Sequence, residues 1–487
     1  MFDQPSPSPA IRHTIAALVL AVTLALAIPG SFAPRAVASP LASRGGAVSP
    51  ALAGEAVAPA YVAHKVIVGY VPGVTASAAV ATQLRMGARA SAASAPRSQL
   101  LRLPPSESVP TALARLRRQP GIAYAQPDYV AHAAGTWYPN DRGRANQVRG
   151  WEQLQWNLLP STGVNAPEAW SNMFGVHRPG GRGVVVAILD TGVAYRSWHQ
   201  FRLSPDFRGT RFVAPYDFVS NSRYPLDRNG HGTFVAGVVA EATNNGYGLT
   251  GIAYGASVMP VRVLDASGLG DEATIARGIH YAVQHGASVI NLSLEFLPSQ
   301  VASGAAIPEI VSAINYAHRH GVTVVGAAGN DQGDQIAYPA RVGSVISVGA
   351  TTRDRCLADY SNRGSGLDLV APGGGNDAIM PSDPNCHPDR SLPSIYQLTL
   401  TDPPHYDRFG YPSFYIGTSM SAPAVAATAA LVIASGVIGR HPTPDQILTR
   451  LEQTASPLGG SNPSLYYGHG LLNAGAATAK STAIPAA

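Results

Sequence analysis

Three residues whose side chains can together transfer an acyl group stand in distinctive places along the chain. Asp190 directly follows the apolar run 184–189, His231 is flanked by two glycines, and Ser419 stands where a long Ala/Val-rich helical pattern begins. An imidazole can take the proton of a hydroxyl that attacks a carbonyl, and a carboxylate can orient that imidazole. Taken singly, each also has an ordinary explanation as a turn residue, a surface or core histidine, or a helix cap.

The elements that would position these side chains are short apolar runs that alternate with helical stretches from Trp137 onward. Continuous Val/Ile-rich runs are typical of strands buried on both faces, which predicts a three-layer α/β/α domain with a mostly parallel sheet. Active sites on such sheets form outside the carboxyl ends of the strands, where Asp190 stands. The predicted strands are 183–189, 257–264, 287–293, 322–326 and 344–350.

The segments around the three residues resemble the catalytic motifs of the subtilase family, and they occur in its chain order, Asp, His, Ser. The resemblance covers residues 137–475. It implies a serine endopeptidase in which Ser419 is the nucleophile, His231 the general base and Asp190 the orienting acid. Asn330, at the end of the sequence Gly-Ala-Ala-Gly-Asn, matches the family's oxyanion-hole asparagine.

Two other classes of protein compete with this reading. A catalytically silent subtilase fold could bind peptides or partners without cutting them. An esterase of the α/β-hydrolase type would need a G-x-S-x-G elbow and a different chain order, and the segment around Ser419 has neither. All four catalytic positions are present, which favours the peptidase.

The same resemblance implies that the substrate backbone pairs with two enzyme segments, and pairing of this kind tolerates many sequences. Relatives usually carry glycine where this chain has Glu295, followed by Phe296. Glu295 could favour basic substrate side chains or narrow the pocket, or it could point to solvent. The implied substrate-binding residues are Ser267, Gly268, Leu269, Gly270, Ser293, Leu294, Glu295, Ala328 and Gly329.

A structural calcium ion is the one cofactor that the resemblance implies. Residues 243–249 are similar to the family's calcium-binding loop, and two aspartates match carboxylates that relatives add to it. Carboxylate, amide and carbonyl oxygens are the hard ligands that Ca²⁺ prefers. The implied ligands are Asp141, Asp206, Thr243, Asn245, Tyr247 and Leu249.

The first residues have the pattern of a signal peptide, which we expect to span 1–38. Arg12 and His13 precede an apolar run of about 14 residues, and small residues stand at the expected cleavage site. An N-terminal membrane anchor is the alternative, although spanning needs about 20 residues. We therefore expect a secreted protein, extracellular or periplasmic, with no membrane association after signal removal and no later stretch apolar enough to span.

Between the signal peptide and the peptidase we expect two further segments. Residues 39–61 are rich in Ala, Pro, Gly and Ser, which indicates a flexible lead-in. Residues 62–133 predict the order strand–helix–strand–helix–strand, a small ferredoxin-like module whose Ala-rich first helix runs to about Ala93. The end of this module resembles the end of subtilase propeptides, which implies a self-inhibiting zymogen. Self-cleavage is expected between about 130 and 137, and the peptidase domain is expected to span 134–487.

The composition agrees with a loop-rich globular enzyme, with 46% hydrophobic residues, 13% charged residues, 50 glycines and 40 prolines. A net charge of +5, spread along the chain, argues against a nucleic-acid surface. We expect protein or peptide substrates, the chain's own propeptide as an intramolecular inhibitor, and a monomer.

The chain has two cysteines, Cys356 and Cys386. In an exported chain an even pair predicts a disulfide, and two buried thiols are the alternative. Cys386 lies in residues 374–412, which form a longer insertion than compact members of the subtilase family carry and whose role the sequence leaves open.

Overall fold

A computed structural model describes residues 61–95, 97–129, 136–460 and 462–480. The predicted signal peptide, all but the last residue of the lead-in, and residues 130–135 of the predicted cleavage region lie outside the described residues.

The N-terminal module is a four-stranded antiparallel sheet in the order β2-β3-β1-β4 with two helices. Its core includes Val66 and Val68 from the first strand and Leu113 and Leu116 from the second helix. The order of elements is strand–helix–strand–strand–helix–strand, which is that of a ferredoxin-like fold; the predicted order had one strand fewer. The elements are β1 Tyr61–Tyr70, α1 Ala76–Arg85, β2 Arg89–Ala95, β3 Ser98–Arg102, α2 Val109–Leu116 and β4 Ile122–Tyr129.

The prediction of one long Ala-rich helix in this module was wrong. The helix ends at Arg85, Gly87 follows with a φ of 61°, and Arg89–Ala95 forms a strand that pairs antiparallel with Ser98–Arg102. Alanine has the highest helix propensity of all residues, but propensity is small beside tertiary contacts, and here strand pairing outweighs it.

The larger part of the chain is built on a sheet in the order β12-β11-β10-β9-β5-β8-β6, and β7 also pairs with β8. Its strands are β5 Val185–Asp190, β6 Arg211–Phe212, β7 Tyr216–Asp217, β8 Ser257–Arg262, β9 Val289–Leu292, β10 Thr323–Ala327, β11 Val345–Thr351 and β12 Leu369–Pro372. A separate hairpin is formed by β13 Thr399–Leu400 and β14 Phe409–Gly410. The helices are α3 Ala166–Gly175, α4 His231–Ala240, α5 Glu272–Gln284, α6 Pro308–Arg319, α7 Thr418–Ser435, α8 Pro444–Thr454 and α9 Ala474–Thr478.

Both faces of the sheet are buried. In β5, Val186 and Ile188 pack into one hydrophobic core with α4 and α7, whereas Ala187 and Leu189 pack into another with α5 and α6. Successive side chains of a strand point to opposite faces, so this alternation requires helices on both sides. The predicted three-layer α/β/α fold is confirmed, and each predicted core strand is present with bounds shifted by two residues at most.

One helix of the described residues, Thr418–Ser435, is long and apolar enough to cross a membrane by length and composition. The prediction that no later stretch reaches this apolarity was therefore wrong. The helix is mostly buried and packs beneath the sheet, so core packing accounts for its apolarity.

A disulfide joins Cys356 to Cys386, as the sequence predicts. Its two cysteines are 30 residues apart, and closing such a loop stabilises a fold by roughly 3 kcal/mol in the chain-entropy model.

Candidate active site

Asp190 and His231 form a hydrogen-bonded pair at the carboxyl edge of the sheet. Asp190 is the last residue of β5 and is fully buried, and His231 is the first residue of α4. The His231 Nδ1 lies 2.9 Å from Asp190 Oδ1 and 3.0 Å from Oδ2. Burial alone would lower the pKa of His231, but the Asp190 carboxylate, helped by Asp227, outweighs burial and raises this pKa above its ordinary value of 6.5.

A glycine after the histidine makes this approach possible. A Cβ on Gly232 would lie 2.1 Å from the carbonyl oxygen of Gly192 and 3.0 Å from Asp190 Oδ1. Any side chain there would force the start of α4 away from the end of β5. Of the two glycines that flank His231, Gly232 is therefore the one that permits a close approach of backbone to backbone.

Asp227 is a residue of the site that the sequence analysis missed. It is buried, and it accepts hydrogen bonds from Thr191 Oγ1 at 2.9 Å and from the backbone N–H groups of Asn229, Gly230 and Thr233. It therefore ties the turn after Asp190 to the turn before His231. An aspartate that bonds to backbone N–H groups two and three residues ahead is a common turn device, which was the available signal.

Ser419, the second residue of α7, lies beside the end of β9. Its Oγ donates to the Ser293 carbonyl oxygen at 3.3 Å, and Ser293 Oγ donates to the Ser419 carbonyl oxygen at 2.8 Å. Both Ser419 and His231 line the same cleft, although the described residues show no hydrogen bond between these two side chains. Catalytic hydrogen bonds are often long in a free enzyme and shorten when substrate binds.

The side-chain amide of Asn330 is held in one orientation. Asn330 Oδ1 accepts hydrogen bonds from Thr418 N at 2.8 Å and Thr418 Oγ1 at 3.1 Å. The amide oxygen thus faces Thr418, so Nδ2 points to the other side, where it can donate to another group. Asn330 follows β10, so its loop lies at the same sheet edge as Asp190 and Ser293.

Glu295 is bonded to that same asparagine. Its Oε1 accepts from Asn330 Nδ2 at 3.1 Å, and its Oε2 accepts from the Asn330 backbone N–H at 3.2 Å. Burial, opposed by these hydrogen bonds and aided by nearby Asp331, raises the pKa of Glu295. Glu295 therefore does not simply point to solvent, which was one of the alternatives, because its carboxylate is bonded to Asn330.

The cleft has a volume of about 620 Å³ and includes seven of the nine predicted substrate-binding residues. These seven are Ser267, Gly268, Leu269, Gly270, Ser293, Leu294 and Glu295. Ala328 lies elsewhere, fully buried, with its N–H bonded to Val348 and its carbonyl to Ala337. Gly329 donates to Thr418 Oγ1 at 3.2 Å. Ala328 and Gly329 therefore shape the loop of Asn330, and the backbone groups of Ala328 are already bonded within the protein.

The insertion of residues 374–412 contributes to the support of His231. Thr399 Oγ1 donates to the carbonyl oxygen of Gly230, and Leu398 N donates to Glu241 Oε1 at 2.8 Å. Glu241 directly follows α4, so this segment contacts both ends of the histidine helix. The role of the insertion was left open by the sequence analysis, and these contacts show that it helps to position α4.

The two aspartates of the predicted calcium site, Asp141 and Asp206, are both fully buried. Neither aspartate has a basic partner among the described residues. Burial raises the pKa of Asp141 to about 6. Burial, together with the nearby charge of Asp141, raises the pKa of Asp206 to about 8. Buried charges are stable only when they are paired or coordinate a metal. The donor set therefore fits a hard cation.

The predicted loop wraps around these carboxylates. Asn245 Nδ2 lies 3.5 Å from Asp206 Oδ1 and 3.2 Å from the Ala242 carbonyl oxygen, a neighbour absent from the predicted ligand set. Leu249 N donates to Asp206 Oδ2 at 2.7 Å. Tyr247 N donates to Asn245 Oδ1, and Thr243 Oγ1 bonds to the Glu241 carbonyl. Within the described ranges, no group of three His, Cys, Asp or Glu side chains stands in metal-binding geometry, so backbone and amide oxygens would have to complete any site.

Two family models match the chain. Residues 181–470 match the subtilase family, and residues 49–128 match the fervidolysin N-terminal prodomain. The first match contains the cleft, and the second contains most of the described N-terminal module.

Named relatives and one solved structure agree with these matches. A thermophilic serine proteinase from a Bacillus species, strain AK1, is 33% identical over 72% of this chain and 72% of its own. Subtilisin E from Bacillus subtilis is 32% identical over 75% of this chain and 78% of its own. A protease structure from Pseudoalteromonas arctica has a TM-score of 0.54 and 31% identity, covering 70% of this chain and 98% of that one.

The matched family spans more than half of the chain, and the relatives are aligned over most of their own lengths. The chain therefore belongs to the subtilase family and is a subtilisin-like serine peptidase with a prodomain.

Proposed function

We propose that Asp190, His231 and Ser419 form the catalytic triad of a secreted, self-processing endopeptidase. Asp190 accepts the Nδ1 proton of His231, so that Nε2 is left as the acceptor for the Ser419 hydroxyl proton. The Ser419 oxygen then attacks the scissile carbonyl and forms the acyl-enzyme. His231 returns the proton to the leaving amine, and water releases the acyl group by the same steps.

Two donors would hold the oxyanion, the Asn330 Nδ2 and the backbone N–H of Ser419. The Ser419 N–H lies at the start of α7, where backbone N–H groups and the helix dipole favour negative charge. Thr418 supports this role for Asn330, because it holds Oδ1 and thereby leaves Nδ2 as the end of the amide that can donate. Donors fixed before the reaction stabilise developing charge without reorganisation.

The observation that carries the proposal is the buried Asp190 carboxylate bonded to His231 in the cleft that Ser419 also lines. The test is labelling with a serine-directed phosphonate or sulfonyl fluoride, followed by peptide mapping. One label per chain on Ser419 is expected. A folded protein that binds peptides but takes up no label would instead be the silent subtilase fold.

The remaining features follow from the same proposal. Protein or peptide substrates would lie along Ser267–Gly270 and Ser293–Glu295, and residues 62–133 would inhibit the peptidase domain, 134–487, until cleavage between about 130 and 137. Residues 1–38 would direct secretion and be removed, residues 39–61 would link them flexibly to the propeptide, and the mature enzyme would be a monomer free of the membrane.

A structural Ca²⁺ would be held by Asp141, Asp206 and Asn245 together with carbonyl oxygens of the loop 242–249. When bound, the ion supplies the positive charge that the two buried carboxylates lack. It takes no part in the reaction.

Removal of calcium should lower the stability of the protein. At a free Ca²⁺ concentration a hundred times the Kd, binding contributes about 2.7 kcal/mol, which EGTA would remove. Thermal unfolding of the full-length Ser419→Ala variant, which cannot digest itself, measures this difference. Asp206→Asn should abolish most of the calcium effect, and Asp445→Asn, at an exposed position, should keep it. Identical melting temperatures in EGTA and calcium would contradict the site.

A further inference from the structure

Glu295 accepts from two of the three N–H donors of Asn330, the residue that is proposed to hold the oxyanion. Its two carboxylate oxygens contact the side-chain Nδ2 and the backbone N–H of Asn330. Glu295 also lies close to the preceding residue, because a Cβ on Gly329 would lie 2.6 Å from Glu295 Oε2. The carboxylate therefore rests against the turn that presents Asn330.

This contact opposes catalysis. Since Thr418 holds Asn330 Oδ1, the amide cannot rotate away from Glu295 without losing two hydrogen bonds. An oxyanion beside Nδ2 would have only the second N–H of that amide as its donor, and it would form close to the negative charge of the carboxylate. Two negative charges a few ångströms apart, partly shielded from water, repel one another strongly.

The cleft offers Glu295 no cation of its own. Of the residues that line the cleft, Glu295 is the only carboxylate, and none is lysine or arginine. The charged neighbour that acts on it is Asp331, which is also negative. Arg363, near the same loop, is paired with Asp334 at 2.8 Å. A positive charge that meets Glu295 must therefore come with the substrate.

We propose that Glu295 couples the charge of the substrate side chain before the scissile bond to the availability of Asn330. This inference depends on the proposed function. An arginine or lysine side chain entering beside Ser293–Glu295 draws the carboxylate away and frees Nδ2 for the oxyanion. An uncharged side chain leaves Glu295 on Asn330. Glu295 is thus a positioning residue that makes the enzyme selective for basic residues, and the selectivity lies in kcat.

The experiment compares three peptide substrates that differ only before the scissile bond, with arginine, glutamine or norleucine there. In the wild type, kcat for arginine should exceed kcat for norleucine about tenfold or more, with the roughly 10²–10³ that a complete oxyanion donor contributes as the upper limit. In Glu295→Gly, kcat and kcat/KM for norleucine should rise together by about tenfold, as expected for a change in the transition state alone. Glu295→Gln, which keeps the size of the side chain, should lose the preference for arginine.

Two further variants separate this coupling from simple charge attraction. In an Asn330→Ala background, Glu295→Gly should change kcat for norleucine less than about twofold, since the shared donor is gone. Asp331→Asn removes one negative charge from the same rim without touching the Asn330 amide, so it should leave the norleucine kcat near its wild-type value.

A Glu295→Gly enzyme whose norleucine kcat does not rise, or whose only change is a higher KM for arginine, would overturn the inference. Ser419 labelling of each variant keeps this result distinct from a failure of the proposed function. A labelled but unaltered enzyme contradicts only the role of Glu295, whereas an unlabelled wild type contradicts the triad.

Discussion

Replacing Ser419 with alanine should abolish peptide hydrolysis and stop maturation of the chain. In subtilisin, a relative, loss of the nucleophile costs about 2 × 10⁶ in kcat, and a similar loss is expected here. Residual hydrolysis would come from the oxyanion hole and from substrate binding. The measurements are kcat on a peptide substrate and mass mapping of the secreted protein, in which cleavage near residue 133 should disappear.

A serine two residues further along provides the matched control. Ser421 is buried, and its Oγ donates to the Ala371 carbonyl oxygen at 2.9 Å. Ser421→Ala should therefore process and turn over substrate normally. Full processing of Ser419→Ala in a strain without other proteases would show that another residue, or another enzyme, makes the cut.

Asp190→Asn should reduce kcat by about 10⁴, because an asparagine in this place stabilises the wrong tautomer of the imidazole. The pH dependence should change as well. Neutral His231 is the active form, and the Asp190 carboxylate raises the pKa of His231, so the wild-type kcat/KM should fall as the pH drops through a value above 6.5. Without the carboxylate, this acid limb should move to lower pH.

The exposed pair His318 and Asp445, with a His Nε2 to Asp Oδ1 distance of 2.8 Å, is the control for this experiment. Asp445→Asn should leave both kcat and the acid limb unchanged. An Asp190→Asn enzyme with wild-type turnover would remove Asp190 from the mechanism.

The same pair affects stability in the opposite direction from activity. A histidine whose pKa is higher in the folded than in the unfolded protein stabilises the fold below its unfolded pKa, near 6.5. That stabilisation is lost as the pH rises through the folded pKa. The pair therefore contributes most to folding at acidic pH, where His231 is protonated and cannot act as a base.

Much of the fold could be predicted because its elements are locally marked. Strands buried on both faces need continuous Val/Ile-rich runs, and the ends of parallel strands meet at one edge. For that reason Asp190, at the end of β5, could be assigned to the site from its place in the sequence. The assignments of Ser293, Asn330 and Glu295 came from the resemblance to the subtilase family, and Ser293 and Asn330 follow the ends of β9 and β10 at the same edge.

What could not be predicted depends on contacts between distant segments. The strand Arg89–Ala95 is set by pairing with its neighbour, since its alanines carry no strand preference. The bond from Glu295 to Asn330 joins two loops 35 residues apart, and its direction depends on how Thr418 holds the amide. From sequence, Asp227 could be recognised only as a turn residue. Its hydrogen bonds to Thr191, next to Asp190, and to Gly230, next to His231, depend on the folded structure.

The disulfide affects how firmly the helix that carries His231 is held. The disulfide links Cys386, in the insertion, to Cys356. Further along the insertion, Leu398 and Thr399 form hydrogen bonds to residues at the two ends of the helix that begins at His231. In a reducing environment the disulfide would be absent, and the insertion would be held against the helix by non-covalent contacts alone. Reduction of the disulfide should therefore loosen the contacts of Leu398 and Thr399 with the helix that begins at His231, and so weaken the positioning of the imidazole.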